Sequence, residues 1–193
     1  MVKDELKYQY KRWYGTFLGY KQAHAYWMYK VIEDVIKNNK QIKGIIEIGT
    51  GHGSLTIFLG LQCYERGLKP LLTYDNVLPP REPKLFKLLG IRFIQRDIFN
   101  KESIREMTEY MDSPILFFSD NGMKIRDFKF FLPLLPKESV FASHDWMNTA
   151  SGGRLTEENT KDNVEKYGLI PLYKEEWDAP PDYIKTCFWR KTK

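Results

Sequence analysis

Five acidic residues, each closing an apolar run, are the side chains best placed to do chemistry: Glu47, Asp75, Asp97, Asp120 and Asp145. Carboxylates accept hydrogen bonds from hydroxyl and amino groups, take up protons and ligate hard cations. The first acid opens a glycine turn, Glu47-Ile48-Gly49-Thr50-Gly51-His52-Gly53-Ser54, with the pattern acid-x-Gly-x-Gly-x-Gly. Glycines let the main chain approach a ligand that a Cβ would repel, and a helix opening at Ser54 offers N–H groups to it. Such a strand–turn–helix unit holds nucleotide-like cofactors in α/β proteins. A dinucleotide fingerprint requires glycine where this chain has Ser54, so a nicotinamide dehydrogenase is disfavoured.

The other acids divide between cofactor and substrate. Asp75 ends the second strand, a little over twenty residues past the glycines, where a carboxylate accepts from ribose hydroxyls; the alternative is a turn-forming acid before Asn76. Asp97 ends the third strand and is placed to accept from an adenine amino group, with Ile98 and Phe99 against the ring; the alternative is an N-cap. Asp120 and Asp145 end the fourth and fifth strands. If these strands are neighbours, the two carboxylates lie about 5 Å apart. They then repel unless they share a proton or a cation lies between them. Mg²⁺ suits such oxygens, and Asn121 offers one more. His144 is a candidate general base or ligand, but neighbours on a strand point to opposite faces, so only one of His144 and Asp145 is expected to face the site. The alternative makes Asp145 a turn cap and His144 a core histidine. His52 reads as a turn residue. His24, among Tyr20, Tyr26 and Trp27, reads as packing rather than chemistry. Trp13-Tyr14-Gly15 is either a lid or core.

The elements that must position these groups alternate. A helix is expected over about 16–38, with Met28, Val31, Ile32, Val35 and Ile36 at helical spacing. Apolar strands follow at about 44–48, 71–74, 91–95, 115–118 and 139–142. Helices run between them, at about 53–65, from the Pro79-Pro80-Arg81-Glu82-Pro83 loop to Gly90, at 103–111, and around Phe128, Phe131 and Leu132. This βαβα order argues for a parallel sheet with helices on both faces. Gly152-Gly153 marks a break before a helix at about 157–167. Two final strand-like runs, 169–173 and 183–189, are joined only by the loop Asp178–Asp182; with no helix between them they should pair antiparallel.

The 193 residues suit one domain, 1–193, whose segment 1–40 is expected to be helical and to pack on the sheet. A net charge of +5 permits an acidic partner, but the basic residues are scattered, which favours a solvated surface over a nucleic-acid groove. Residues 1–12 are polar and charged, and no apolar run reaches the length of a membrane span, so a cytoplasmic protein without a membrane partner is expected. Cys63 and Cys187 lack metal-type spacing and read as reduced, buried thiols.

The glycine turn, Asp75, Asp97 and the Asp120/His144-Asp145 pair together resemble the class I S-adenosylmethionine-dependent methyltransferases. Within them the chain is similar to the small-molecule O-methyltransferases of the cephalosporin hydroxylase-like family. The closer match rests on Trp13-Tyr14-Gly15, Glu47-Ile48-Gly49-Thr50 with Gly53-Ser54, and Ser119-Asp120-Asn121-Gly122 paired with His144-Asp145-Trp146. The resemblance implies an α/β, Rossmann-like methyltransferase fold: a mostly parallel seven-stranded sheet, a C-terminal antiparallel strand pair and helices on both faces. It implies that Glu47, Gly49, Thr50, Gly51, Gly53 and Ser54 surround the methionine part of S-adenosylmethionine. It implies Mg²⁺ held by Asp120 and Asp145, and methyl transfer to a hydroxyl of a small molecule or sugar, with Asp120, His144 and Asp145 as the catalytic set. Members carry histidine or tyrosine shortly after the strand-four acid. This chain has Asn121-Gly122-Met123-Lys124, which leaves Lys124 for that role or leaves the role vacant. Strand four lacks the Asn/Asp-Pro-Pro-Tyr motif of base amino-methylation. An RNA ribose methyltransferase and a non-catalytic cofactor-binding module acting through a protein partner are the alternatives. The chain is short for a substrate lid, so a homo-oligomer completing the pocket is a further expectation.

Overall fold

The computed structural model describes residues 16–18, 20–21, 24, 26–77, 84–147, 154–177 and 186–193. Trp13-Tyr14-Gly15, the proline-rich loop at 79–83, Gly152-Gly153 and the loop at 178–182 lie outside the described residues.

Strand β3 (Gly44–Ile48) is buried along its whole length, as a central parallel strand must be. It pairs in parallel with β4 (Leu72–Asp75) on one side and β6 (Ile115–Ser119) on the other. Beyond β4 lies β5 (Arg92–Gln95), and beyond β6 lies β7 (Val140–His144), both parallel. Strand β9 (Thr186–Lys191) then runs antiparallel to β7, and β8 (Leu169–Pro171) antiparallel to β9. The seven-stranded order is β5-β4-β3-β6-β7-β9-β8. This is the mostly parallel sheet with an antiparallel C-terminal pair that the sequence predicts.

Alternating side chains feed two cores, one on each face of the sheet. Ile45, Leu116, Phe118, Val140 and Phe188 pack with Ile32 and Val35 of helix α1 (Tyr26–Asn38) and Ile57 and Leu59 of helix α2 (Ser54–Arg66). Ile46, Ile48, Phe117, Phe141 and Trp189 face the other way. There they meet Met107 of α4 (Lys101–Tyr110) and Phe128 and Phe131 of α5 (Lys124–Phe131). Period-two strands and period-3.6 helices therefore meet on both faces. Between β4 and β5 lies the one-turn helix α3 (Lys84–Leu88). Helix α6 (Glu157–Tyr167) starts on a capping box of Thr156 and Asn159 and stops at Gly168 in the left-handed region. Both cysteines are buried, free thiols.

The structure differs from the sequence reading in two segments. The expected helix at 16–38 begins only at Tyr26. Before it, Thr16–Phe17 (β1) and Tyr20–Lys21 (β2) pair antiparallel across a turn in which Leu18 takes φ 49°. The ring of Phe17 meets Tyr29 and Phe58, so the hairpin leans on α1 and the start of α2. Strands of two residues are too short to show an alternation. At the other end, the expected strand 169–173 stops at Pro171, and a helical turn, α7 (Lys174–Trp177), follows. Tyr173 has φ 57°, which bends the chain out of its extended path.

Candidate active site

The sheet order reverses between β3 and β6, the place where open α/β sheets form a crevice at their carboxyl ends. A cavity of about 300 Å³ opens there. One wall is the glycine turn, from Gly49 to Leu55, with Asp75; the other is His24, Asp120, Asn121 and Gly122.

The first wall is main chain held in conformations that only glycine adopts cheaply. Gly49, Gly51 and Gly53 have φ of 97°, 51° and 83°. Gly49 donates its N–H to Tyr74 O at 2.8 Å, and Asp120 donates its own to Ile48 O at 2.8 Å, so the two walls are sewn to β3 and β4. A Cβ on Gly49 would stand 2.4 Å from the carbonyl oxygen of Asp120, whereas one on Gly51 would meet nothing within 4 Å. Gly51 thus presents bare backbone to open space. No side chain caps the N-terminus of α2. Ser54 Oγ lies 3.3 Å from Tyr29 Oη, which burial pushes up to about 12.

Asp75 lines the cavity and also forms the turn that is its alternative reading. Its Oδ2 accepts from Gly51 N at 2.9 Å, closing the glycine turn, and its Oδ1 accepts from Val77 N at 3.0 Å. Glu47 does not line the cavity. It is fully buried behind the turn, where its Oε2 accepts from Thr56 and Thr73 hydroxyls at 2.7 and 2.6 Å. Thr73 in turn meets Thr50 Oγ1 at 2.6 Å. Burial, tempered by those two hydroxyls, pushes the Glu47 carboxyl up to about 8, so near neutral pH it is largely protonated. Its Oε1 is buried without a hydrogen-bond partner. Glu47 acts as a brace for Thr50 and the turn.

Asp97, Ile98 and Phe99 lie beyond the cavity lining. Asp97 Oδ1 accepts from Phe99 N at 2.9 Å, while Asn100, not Asp97, caps α4. Ile98 is buried in the second core. Phe99 stacks on Phe131, and the Arg126 guanidinium lies 3.6 Å above its ring.

The second wall is built from side chains of distant segments. Ser119 pairs with Ser143 across β6 and β7, which places Asp120 beside His144. Asp120 Oδ1 accepts from His144 Nδ1 at 3.1 Å, and Oδ2 lies 2.7 Å from His24 Nε2. The two imidazoles meet edge to face with centroids 4.6 Å apart. Lys124, one turn after Asp120, places its Nζ 3.3 Å from Asp120 Oδ1 and 3.4 Å from Asp145 Oδ2. Arg154 forms a second ion pair with Asp145 Oδ2. Neither His144 nor Asp145 lines the cavity itself; His144 reaches Asp120 and Asp145 reaches Lys124 behind it. Asp145 has left the strand with φ 59°, and this turns its carboxylate back toward Lys124. His24, read as packing, is brought directly onto Asp120; nothing local in the sequence signals a contact made across 96 residues.

Charge balance within this cluster follows. Burial opposes ionisation of Asp120, yet His144 and then His24 outweigh it and hold the carboxyl well below its ordinary range. Burial lowers the His144 imidazole, with Asp120 working against it, and burial likewise lowers Lys124. His24, Asp120 and His144 are the described residues whose ligand atoms gather within 4.8 Å of one another. Magnesium between Asp120 and Asp145 is a poorer fit: the gap already holds the Lys124 ammonium, and Asn121 turns its own Oδ1 to Met123 N.

No protein-family model and no curated protein sequence matches the chain. Solved structures do. CalS11, a TDP-rhamnose 3'-O-methyltransferase of calicheamicin biosynthesis, is 14% identical with a TM-score of 0.63, covering 88% of this chain and 80% of its own. CmcI in a magnesium and SAM complex is 15% identical with a TM-score of 0.61, covering 85% and 70%. An O-methyltransferase from Bacillus cereus in complex with SAH is 16% identical with a TM-score of 0.53, covering 89% and 84%. At such identities the likeness speaks for architecture: the chain has the Rossmann-like fold of the class I methyltransferases.

Proposed function

We propose that the chain is an S-adenosylmethionine-dependent O-methyltransferase acting on a small hydroxylated molecule. The observation that carries this reading is the juxtaposition, at the sheet's switch point, of a glycine-built cleft and a buried His–Asp–His cluster. The fold shared with solved O-methyltransferases supports it. The cradle suits the cofactor because Gly51 leaves open space beside it and because the Asp75 carboxylate lines the same cavity.

When bound, S-adenosylmethionine supplies a sulfonium methyl that passes to the acceptor oxygen while the C–S electron pair stays on sulfur. The chain's part is to align the acceptor, exclude water and remove its proton. In this reading Asp75 holds the ribose and the glycine turn surrounds the methionine part. Asp120, accepting from His144 Nδ1, fixes that ring's tautomer and leaves Nε2 as the basic nitrogen. A lowered imidazole is unprotonated near neutral pH, the state a general base needs. His144 takes the acceptor's proton in this scheme, and His24 holds the other oxygen of Asp120. No step is routed through a metal. Among the described residues no helix is long and apolar enough to cross a membrane.

The test is transfer of a labelled methyl from S-adenosylmethionine to a panel of hydroxylated small molecules. It is run beside a calorimetric titration with the cofactor. Binding without transfer to any acceptor supports a cofactor-binding module instead, and steeply salt-dependent binding of RNA supports a ribose methyltransferase.

A further inference from the structure

The gap between the two strand-end carboxylates is where the family resemblance calls for a divalent cation, and the chain fills it with its own. Lys124 reaches this point because Asn121, Gly122 and Met123 make one turn before α5, bringing residue 124 back over Asp120. Its Nζ donates to Asn121 O at 2.6 Å and lies within 3.4 Å of both carboxylates, and its side chain is 2% exposed. Arg154 adds a second positive charge on Asp145. Two carboxylates thus face two fixed cations, and the set is neutral before any ion arrives. The oxygens are committed as well. Asp120 Oδ1 faces His144 and Lys124, Oδ2 faces His24, Asp145 Oδ2 faces Lys124 and Arg154, and Asp145 Oδ1 lies 3.5 Å from His144 Nδ1. A hard dication needs vacant, negatively charged oxygens and would here meet two cations at close range.

We propose that Lys124, braced by Asp145 and Arg154, is the built-in cation of this site, and that no divalent ion enters between Asp120 and Asp145. The chemistry of this inference rests on the methyl-transfer reading; its metal test does not. A site without a Lewis acid does not lower the pKa of a bound aliphatic hydroxyl. Proton removal falls to the imidazole, and the acceptor's own acidity must contribute more. A phenol, with a pKa near that of tyrosine (about 10), suits this site better than a sugar alcohol. The phenolic proton goes to His144, and the oxygen forms the new bond to carbon.

Titration of the full chain with Mn²⁺, followed by loss of the free-ion EPR signal, tests the metal claim whether or not the cofactor binds. The wild type should show no stoichiometric binding at millimolar ion. Lys124→Met, which keeps bulk and removes charge, should bind Mn²⁺ at least about tenfold more tightly. A wild type that binds one ion, and loses it on Asp145→Asn as well as on Asp120→Asn, overturns the proposal, since loss on Asp120→Asn alone fits the separate His24, Asp120 and His144 cluster. So does a folded Lys124→Met chain that still excludes the ion. If Lys124→Met does not fold, the wild-type titration decides alone. For the acceptor, labelled methyl transfer under excess chelator should be at least about tenfold faster to a catechol than to a methyl glycoside. Equal rates, the reverse order, or transfer to neither with cofactor bound would overturn the narrowing to acidic hydroxyls.

Discussion

The two walls of the cleft are made of different material. The β3–β4 wall is backbone: three left-handed glycines, an uncapped helix start, and Asp75 closing the turn on Gly51 N. The β6–β7 side is side chain: His24 and Asp120 line the cleft, and Lys124, His144, Asp145 and Arg154 stand behind them in one bonded cluster. Backbone walls hold a ligand whose shape is constant, whereas charged side chains do proton chemistry. In the proposed function, cofactor binding belongs to one wall and transfer to the other.

The strongest way to break that division is Asp120→Asn. Loss of the carboxylate that orients His144 should slow methyl transfer by about 10²–10⁴-fold while changing cofactor affinity by less than about threefold. Measuring the initial rate and the calorimetric Kd on the same preparation checks it. Equal losses in both would show that the walls do not work separately.

Two glycine replacements sharpen the comparison. Gly49→Ala places a methyl 2.4 Å from the Asp120 carbonyl oxygen at φ 97°, where no flexible side chain can yield. Its melting temperature should fall by an amount equivalent to about 2–3 kcal/mol, and cofactor binding should go with it. Gly51→Ala has open space around it and φ 51°, so it should cost only about 1 kcal/mol of stability. Its methyl nevertheless enters the cleft, and cofactor affinity should fall more than stability does. Denaturant melts beside cofactor titrations separate the two effects.

The effect spread over pH rather than seen at one pH belongs to Glu47, behind the backbone wall. Its folded carboxyl is raised from 4.5 to about 8, so the folded state holds a proton that the unfolded chain releases at lower pH. The stability that Glu47 contributes is therefore fullest below pH 4.5 and falls between 4.5 and about 8, by no more than about 1.4 kcal/mol per pH unit. Glu47→Gln cannot ionise and should flatten that part of the profile. Melting temperatures across that range check this, and an unchanged slope would mean the wall is braced differently.

The same contrast explains what was legible beforehand. The glycine wall is contiguous, and a turn of that composition after an apolar strand has few other readings. The five strands and the antiparallel end were visible because each is apolar and bounded by breakers. Asp120, His144 and Asp145 were visible as strand ends. Their partners were not: His24 lies in an aromatic stretch that looks like packing, and Lys124 meets Asp120 only because α5 begins one turn later. The left-handed turn of Asp145 likewise follows from tertiary contacts, since aspartate carries no strong local demand for it. Asp97, read from sequence as an acceptor for an adenine amino group, closes a turn on Phe99 N, while Ile98 packs into the second core.

Calorimetric titration of the full chain with S-adenosylmethionine, with NAD run in parallel, bears most directly on the role given to the glycine cleft. One S-adenosylmethionine per chain, with no heat from NAD, is the expected result. Saturable NAD binding, or no S-adenosylmethionine bound at millimolar concentration, would contradict it.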